Sequence, residues 1–156
     1  MGATEVDGHS FKDIGLPEFT VISRKESETG DILYTVEPKE RIADCPACGG
    51  KLHIHKDAKR KVKDLDEFGH RVGIVVKGKS YRCKDCGETV REEYASICGQ
   101  MTRRMVESIQ RDVFGDMTFT QIARRYNVSV STVQGLFEEQ GEKLWTAYHF
   151  VTPRVL

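Results

Sequence analysis

No stretch of this sequence offers 18 consecutive apolar side chains, so no segment is long enough to cross a bilayer as a helix. The start, Met1 to Asp7, lacks the basic and apolar regions of a secretory leader, and Val6 stands where a myristoylation signal carries Ser or Thr. A cytoplasmic protein with no membrane partner is expected. Low-complexity tracts and internal repeats are also missing. Net charge is absent as well, because 24 Lys and Arg balance 24 Asp and Glu. With five cysteines and a reducing compartment, a disulfide framework is excluded in favour of metal ligands or buried thiols. A chain of 156 residues holds one ordinary domain or two small ones, too little for most enzymes that need a deep interdomain cleft. Hydrophobic residues make up 38% and there is one Trp, so the core is thin, and a metal or a partner is the usual remedy.

What the chain does have is segregated charge. Residues 1–44 carry 5 basic and 10 acidic groups, residues 51–84 carry 11 and 4, and residues 85–156 carry 8 and 10. A cationic island inside a neutral chain points to a polyanionic partner on one face, the plainer alternative being a solvated lysine-rich hairpin.

That island has the pattern of strands. Lys59 to Asp64 and His70 to Arg82 predict a hairpin turning at Phe68-Gly69. Val72, Ile74 and Val76 recur every second residue on one face, Arg71, Lys77 and Lys79 lie on the other, and Val75 breaks the alternation. An earlier hairpin is predicted around Glu28-Thr29-Gly30-Asp31, with Phe19, Val21 and Ile22 before it and Ile32, Leu33, Tyr34 and Val36 after it. Its alternation lapses at Ser23.

The cysteines decide the chemistry. Cys45-Pro46-Ala47-Cys48-Gly49 and Cys83-Lys84-Asp85-Cys86-Gly87 are two knuckles of one form, each with two residues between its thiols. Two cysteines across a tight turn reach one metal, the following Gly relieves the turn, and two such turns complete a tetrahedron. The expectation is one structural zinc ion held by Cys45, Cys48, Cys83 and Cys86. Four thiolates leave no open position for water or substrate, so this metal would not be catalytic. His53 and His55 follow the first knuckle and are competing ligands of lower rank. Cys98 is left over, expected as a small buried hydrophobe where sheet and helices meet.

Beyond Gly99 the apolar period changes from 2 to about 3.6. Thr102 is placed to cap a helix running to about Phe114, with Met105, Val106, Ile109 and Val113 along one stripe. Thr118-Phe119-Thr120-Gln121 has the form of a capping box, opening a helix that turns Ile122, Ala123 and Tyr126 inward. After Asn127-Val128, Ser129 caps a third helix with Val133, Leu136 and Phe137 on one face. This is the logic of a helix-turn-helix, in which the second helix enters the major groove. Ser129, Ser131, Thr132 and Gln134 would then face bases and phosphates, while Arg103, Arg104, Arg124 and Arg125 approach the backbone. The recognition helix holds no Arg or Lys before Lys143, so the cationic hairpin, through Lys59, Arg60, Lys61, Lys63, Arg71, Lys77 and Lys79, would supply much of the affinity. A short separate helix is predicted from Gly141 through Leu144, Trp145 and Tyr148, ending before Pro153.

The order of these elements resembles the N-terminal region of the ISL-three family of insertion-sequence transposases. The resemblance is carried by Cys45-Pro46-Ala47-Cys48-Gly49, the strand near Lys63-Asp64-Leu65, Tyr81-Arg82-Cys83-Lys84-Asp85-Cys86, Met101-Thr102-Arg103-Arg104 and the helix-turn-helix. It covers roughly residues 11–156. It implies a zinc ribbon and helix-turn-helix that bind the terminal inverted repeats of the element. It also implies a ribonuclease-H-like domain beyond Leu156 that cuts DNA with three carboxylates and two metal ions. The expectation is that this chain binds and does not cut.

The fold class expected is α+β, a small β-rich zinc ribbon followed by a helical domain. The divisions are 1–40 for the first hairpin, 41–98 for the ribbon, 99–140 for the helix-turn-helix and 141–156 for a tail or linker. Double-stranded DNA is the expected partner, with a second copy of the chain as a further candidate. A free-standing regulator on a palindromic operator and a protein-interaction adaptor are the competing readings. A thiol oxidoreductase ranks last, because two knuckles occur together.

Overall fold

The structure is a computed structural model and describes residues 13–147. Among the described residues it is a mixed fold of seven strands and three helices, with the strands first in the chain. The chain divides into two compact units, Met1–Met105 and Val106–Leu156.

The first unit is built on one sheet. Strands β1 (Phe19–Glu26) and β2 (Ile32–Pro38) form an antiparallel hairpin with a register shift between Val21 and Ser23. That bulge is why the apolar alternation lapses at Ser23: one extra residue resets which side chains face the core, leaving Ile22 exposed. The long hairpin is β3 (Leu52–Glu67) and β4 (His70–Cys83), with far longer strands than the periodic residues alone suggested. Its turn is tight because Glu67 pairs with His70 across just Phe68 and Gly69, whose φ values of +50° and +83° match a type I′ turn.

β4 is central. It pairs with β3 on one side and runs parallel to β2 on the other, so both hairpins belong to one sheet, ordered β1-β2-β4-β3-β7-β6. The short strand β5 (Thr89–Arg91) pairs with the far end of β4, while β6 (Ile97–Cys98) and β7 (Met101–Thr102) close the other edge. One face of the sheet is the core, where Val36, Val62, Ile74 and Val76 are almost fully buried beside Phe19 and Tyr34. Each such aliphatic contributes about 1.5–3 kcal/mol by leaving water.

Helix α1 (Arg103–Val113) follows β7 directly, and Thr102 caps it by accepting the Met105 N–H at 3.3 Å. In the second unit Ile109, Ile122 and Val133 are completely buried. Helix α2 (Phe119–Tyr126) opens with the capping box: Thr118 accepts from the Gln121 N–H and Gln121 accepts from the Thr118 N–H. It stops where Asn127 turns left-handed, φ +51°, letting the Val128 N–H bond the Ala123 carbonyl at 3.0 Å. Helix α3 (Val130–Ala147) starts at the Ser129 cap and runs 18 residues. The separate helix expected from Gly141 is instead the continuation of α3, since Gly135 and Gly141 weaken a helix without ending it when no αL stop follows. Tyr148 and Pro153 lie outside the described residues.

Candidate metal centre and cationic sheet face

Each cysteine knuckle sits at the end of a small hairpin. In the first, Cys45 N–H donates to the Gly50 carbonyl at 2.8 Å, Gly49 N–H returns to the Cys45 carbonyl at 2.8 Å, and Asp44 bridges Lys51. In the second, Cys83 N–H donates to Glu88 and Gly87 N–H to Cys83, at 2.9 and 3.1 Å. The two glycines that follow the knuckles have φ values of +73° at Gly49 and +74° at Gly87, which an L side chain rarely adopts. Leu52, the first residue of β3, pairs with Cys83, the last of β4. The long hairpin thus folds back and sets the knuckles side by side.

The result is four sulfurs whose atoms all lie within 4.8 Å of one another. Cys45 Sγ is 3.7 Å from Cys86 Sγ, and Cys48 Sγ is 3.5 Å from Cys83 Sγ. A tetrahedron of thiolates about 2.3 Å from zinc has edges of about 3.8 Å, so the spacing and the soft donor set fit one structural zinc ion. Backbone N–H groups, the Cys86 N–H foremost, lower the Cys83 thiol to about 7. At Cys48 the Gly50 N–H pulls downward, yet proton sharing with Cys83 and Cys86 wins and pushes it up to about 12. Gly50 lets the two knuckles approach closely, because a Cβ there would meet the Asp85 carboxylate and lie 3.0 Å from Cys83 Sγ. His53 and His55 are exposed on β3 and lie outside the sulfur cluster, and Cys98 is half-buried in β6.

The hairpin that spans the knuckles divides its cations between two faces. Lys59, Lys61 and Lys63 alternate along β3 and are exposed, opposite Lys77, Val75 and Gly73 respectively, while Lys79 is opposite Asp57. This is the face away from the core, and it explains Val75, which alternates correctly but on the open side. Lys59 directly opposite Lys77 is a like-charge pair that costs stability in isolation. Lys77 is 3.9 Å from Glu37, Lys79 is paired with Asp57, and Arg71 lies 3.3 Å from Asp66.

Arg60 is on the other face. Its guanidinium donates to the Glu92 carbonyl and stands 5.9 Å over the Tyr94 ring. Arg104 is also engaged: it is ion-paired with buried Asp64 and donates to the Ile14 carbonyl at 2.8 Å. Arg103 donates to the Ala95 carbonyl. In the helices, Arg125 pairs with Asp112 at 3.2 Å, and Arg124 is exposed. Ser129, Ser131 and Gln134 are exposed at the start of α3, with Thr132 half-buried. The hydroxyls of Ser131 and Thr132 lie 2.9 and 2.8 Å from Ser129 Oγ, and Gln134 donates to Glu138.

Two acids that anchor this arrangement gave no signal in the sequence. Asp64, 4% exposed, accepts from the Thr102 hydroxyl at 2.6 Å and from Arg104 Nε at 2.8 Å, tying β3 to the start of α1. Glu92 accepts from the Tyr81 and Tyr94 hydroxyls at 2.7 and 2.8 Å and from the Lys79 N–H at 2.9 Å, with Arg41 alongside. Burial pushes the Glu92 carboxyl up, but these donors and the Arg41 charge outweigh it and hold it below the usual range. Tyr94 answers with a pKa raised by burial and by that carboxylate. Only their surroundings distinguish these acids from the many solvated ones.

Residues 43–86 match the family model of the zinc-finger of transposase IS204/IS1001/IS1096/IS1165. That segment holds both knuckles and the cationic hairpin between them. No curated protein and no solved structure matches the chain.

Proposed function

We propose that the transposase-type zinc ribbon at residues 43–86 serves here to bind double-stranded DNA, as the part of a transposase that recognises the terminal inverted repeats of its element. The family match and the four-sulfur site together suggest zinc-dependent nucleic-acid binding. The observation that carries the reading is the open face of β3 and β4, where Lys59, Lys61, Lys63 and Lys77 stand together on a strand pair whose ends the metal holds. A polyanion relieves the repulsion that this face otherwise bears.

On this reading α2 and α3 are a helix-turn-helix. The capping box, the left-handed Asn127 and the Ser129 cap support it, since they fix the turn and leave the N-terminal end of α3 exposed. Ser129, Ser131, Thr132 and Gln134 read base edges or hold phosphate there, and Arg124 and Arg125 meet the backbone. Arg60 and Arg104 support the fold rather than the contact, because their guanidiniums are already held. The chain's role in transposition is end binding, with strand cleavage assigned to a catalytic domain. The test is a mobility shift on a candidate element end against scrambled duplex. Preference for the end, weakening steeply from about 50 to about 200 mM salt, supports the reading. Equal, salt-insensitive binding to both contradicts it.

A second reading, a regulator acting as a homodimer, is favoured by the exposure of Leu144 and Trp145, 40% and 72%, on the last turns of α3. Sedimentation of the full chain separates the two. A dimer that footprints a palindrome selects the regulator, and a monomer on a single end selects the transposase module.

A further inference from the structure

We propose that Phe68, at the tip of the β3–β4 hairpin, is a base-stacking residue that meets the face of a nucleobase in the DNA whose phosphates the hairpin's lysines hold. This rests on the nucleic-acid reading above and adds to it a contact of a different kind.

Two properties of Phe68 conflict with a purely structural role. Its side chain is 94% exposed, so it is not packed into the core of the described residues. Its φ is +50°, in the left-handed region where Asn and Gly are at ease and a bulky aromatic is uncommon. A hairpin chosen only for folding would carry Asn-Gly at Phe68-Gly69. The chain has instead placed a ring where it gains neither burial nor backbone comfort.

The tip is also held, not loose. Glu67 and His70 pair across the turn, the Tyr34 hydroxyl donates to Glu67 Oε2 at 2.9 Å, and Arg71 lies beside Asp66. Both acids next to Phe68 therefore have partners, which lessens their repulsion toward a phosphate chain. Lys63 precedes Phe68 by five residues on β3 and its turn, so one continuous hairpin carries the lysines and ends in the ring. A phenyl group has no hydrogen-bonding atom, and a ring at a hairpin tip offers a base chiefly its π face. It stacks on an unpaired base or wedges between two steps of a bent duplex. Such a contact adds affinity that salt does not screen.

Phe68→Asn and Phe68→Trp test this, using fluorescent duplexes carrying 2-aminopurine either fully paired or in an unpaired bulge. Phe68→Asn suits the turn, so its melting temperature should equal or exceed that of the parent chain. Its affinity should nevertheless fall roughly 5- to 150-fold, with the slope of log affinity against log salt unchanged, while Phe68→Trp keeps binding. A change in 2-aminopurine emission on binding that Phe68→Asn abolishes identifies the stacked base. Its appearance in the bulged probe alone assigns an unpaired base, and in the paired probe a wedge. If Phe68→Asn binds both probes as tightly as the parent chain, the stacking role is wrong and the lysine face stands. If the parent chain binds neither probe at any salt concentration, the nucleic-acid reading itself is overturned.

Discussion

At Glu92 a carboxylate only 4% exposed draws together Tyr81, Tyr94, Arg41 and the Lys79 backbone, so a single residue joins the end of β4 to the segment behind it. Its pKa is depressed in the fold, so it adds stability above the ordinary Glu value of about 4.3, and that contribution is lost as pH falls through its folded value. Glu92→Gln should cost about 2–3 kcal/mol at pH 7, from the loss of charged hydrogen bonds, and the gap from the parent chain should narrow below about pH 4. Denaturant melts across that range check the sign. A gap that widens on acidification would contradict it. Thr102→Val removes both the cap of α1 and a donor to Asp64, and should cost about 1–3 kcal/mol by the same measurement. Gly50→Ala forces a Cβ against Asp85 and Cys83, so zinc affinity should drop, as read by competition with a metal-sensitive dye. Neither Glu92 nor Asp64 was legible in the sequence. Burial of an acid depends on partners up to 51 residues away, and no local pattern marks it.

Elements were more legible where their signals are local. The knuckles, the capping box at Thr118 and the turn at Phe68-Gly69 each depend on residues within five positions, and each appears where the pattern places it. Strand length was not legible, because β3 runs through His53, Ile54 and His55, which are exposed and show no alternation; its register comes from β4. Nor was the parallel pairing of β2 with β4, which joins strands across an intervening knuckle and strand. α3 outran its expected end because Gly141 lowers helix propensity by only about 1 kcal/mol. At this scale the open face of β3 and β4 makes a directional prediction. Charge reversal of Lys59 and Lys61 should lower the salt slope of DNA binding by about 2, whereas Arg60→Gln should leave the slope unchanged and reduce stability instead. Equal slopes for the two variants would remove the distinction between faces.

Across the molecule, a chain with balanced charge places its lysines between two metal-binding turns, so the ion that holds the turns also holds the strand ends that carry the cations. Removing the ion should free Leu52 and Cys83 from their register at the knuckle end, while β2, β7 and the Asp64 contacts still hold the rest of the hairpin. The four sulfurs and the cationic face are thus coupled through one hairpin. The most direct measurement titrates a labelled duplex at fixed low salt with the chain carrying zinc, and again after chelation. Binding that weakens by at least about tenfold on zinc removal and returns on re-addition of one equivalent is the predicted result. A metal-free chain that binds the duplex as tightly as the loaded one would contradict it.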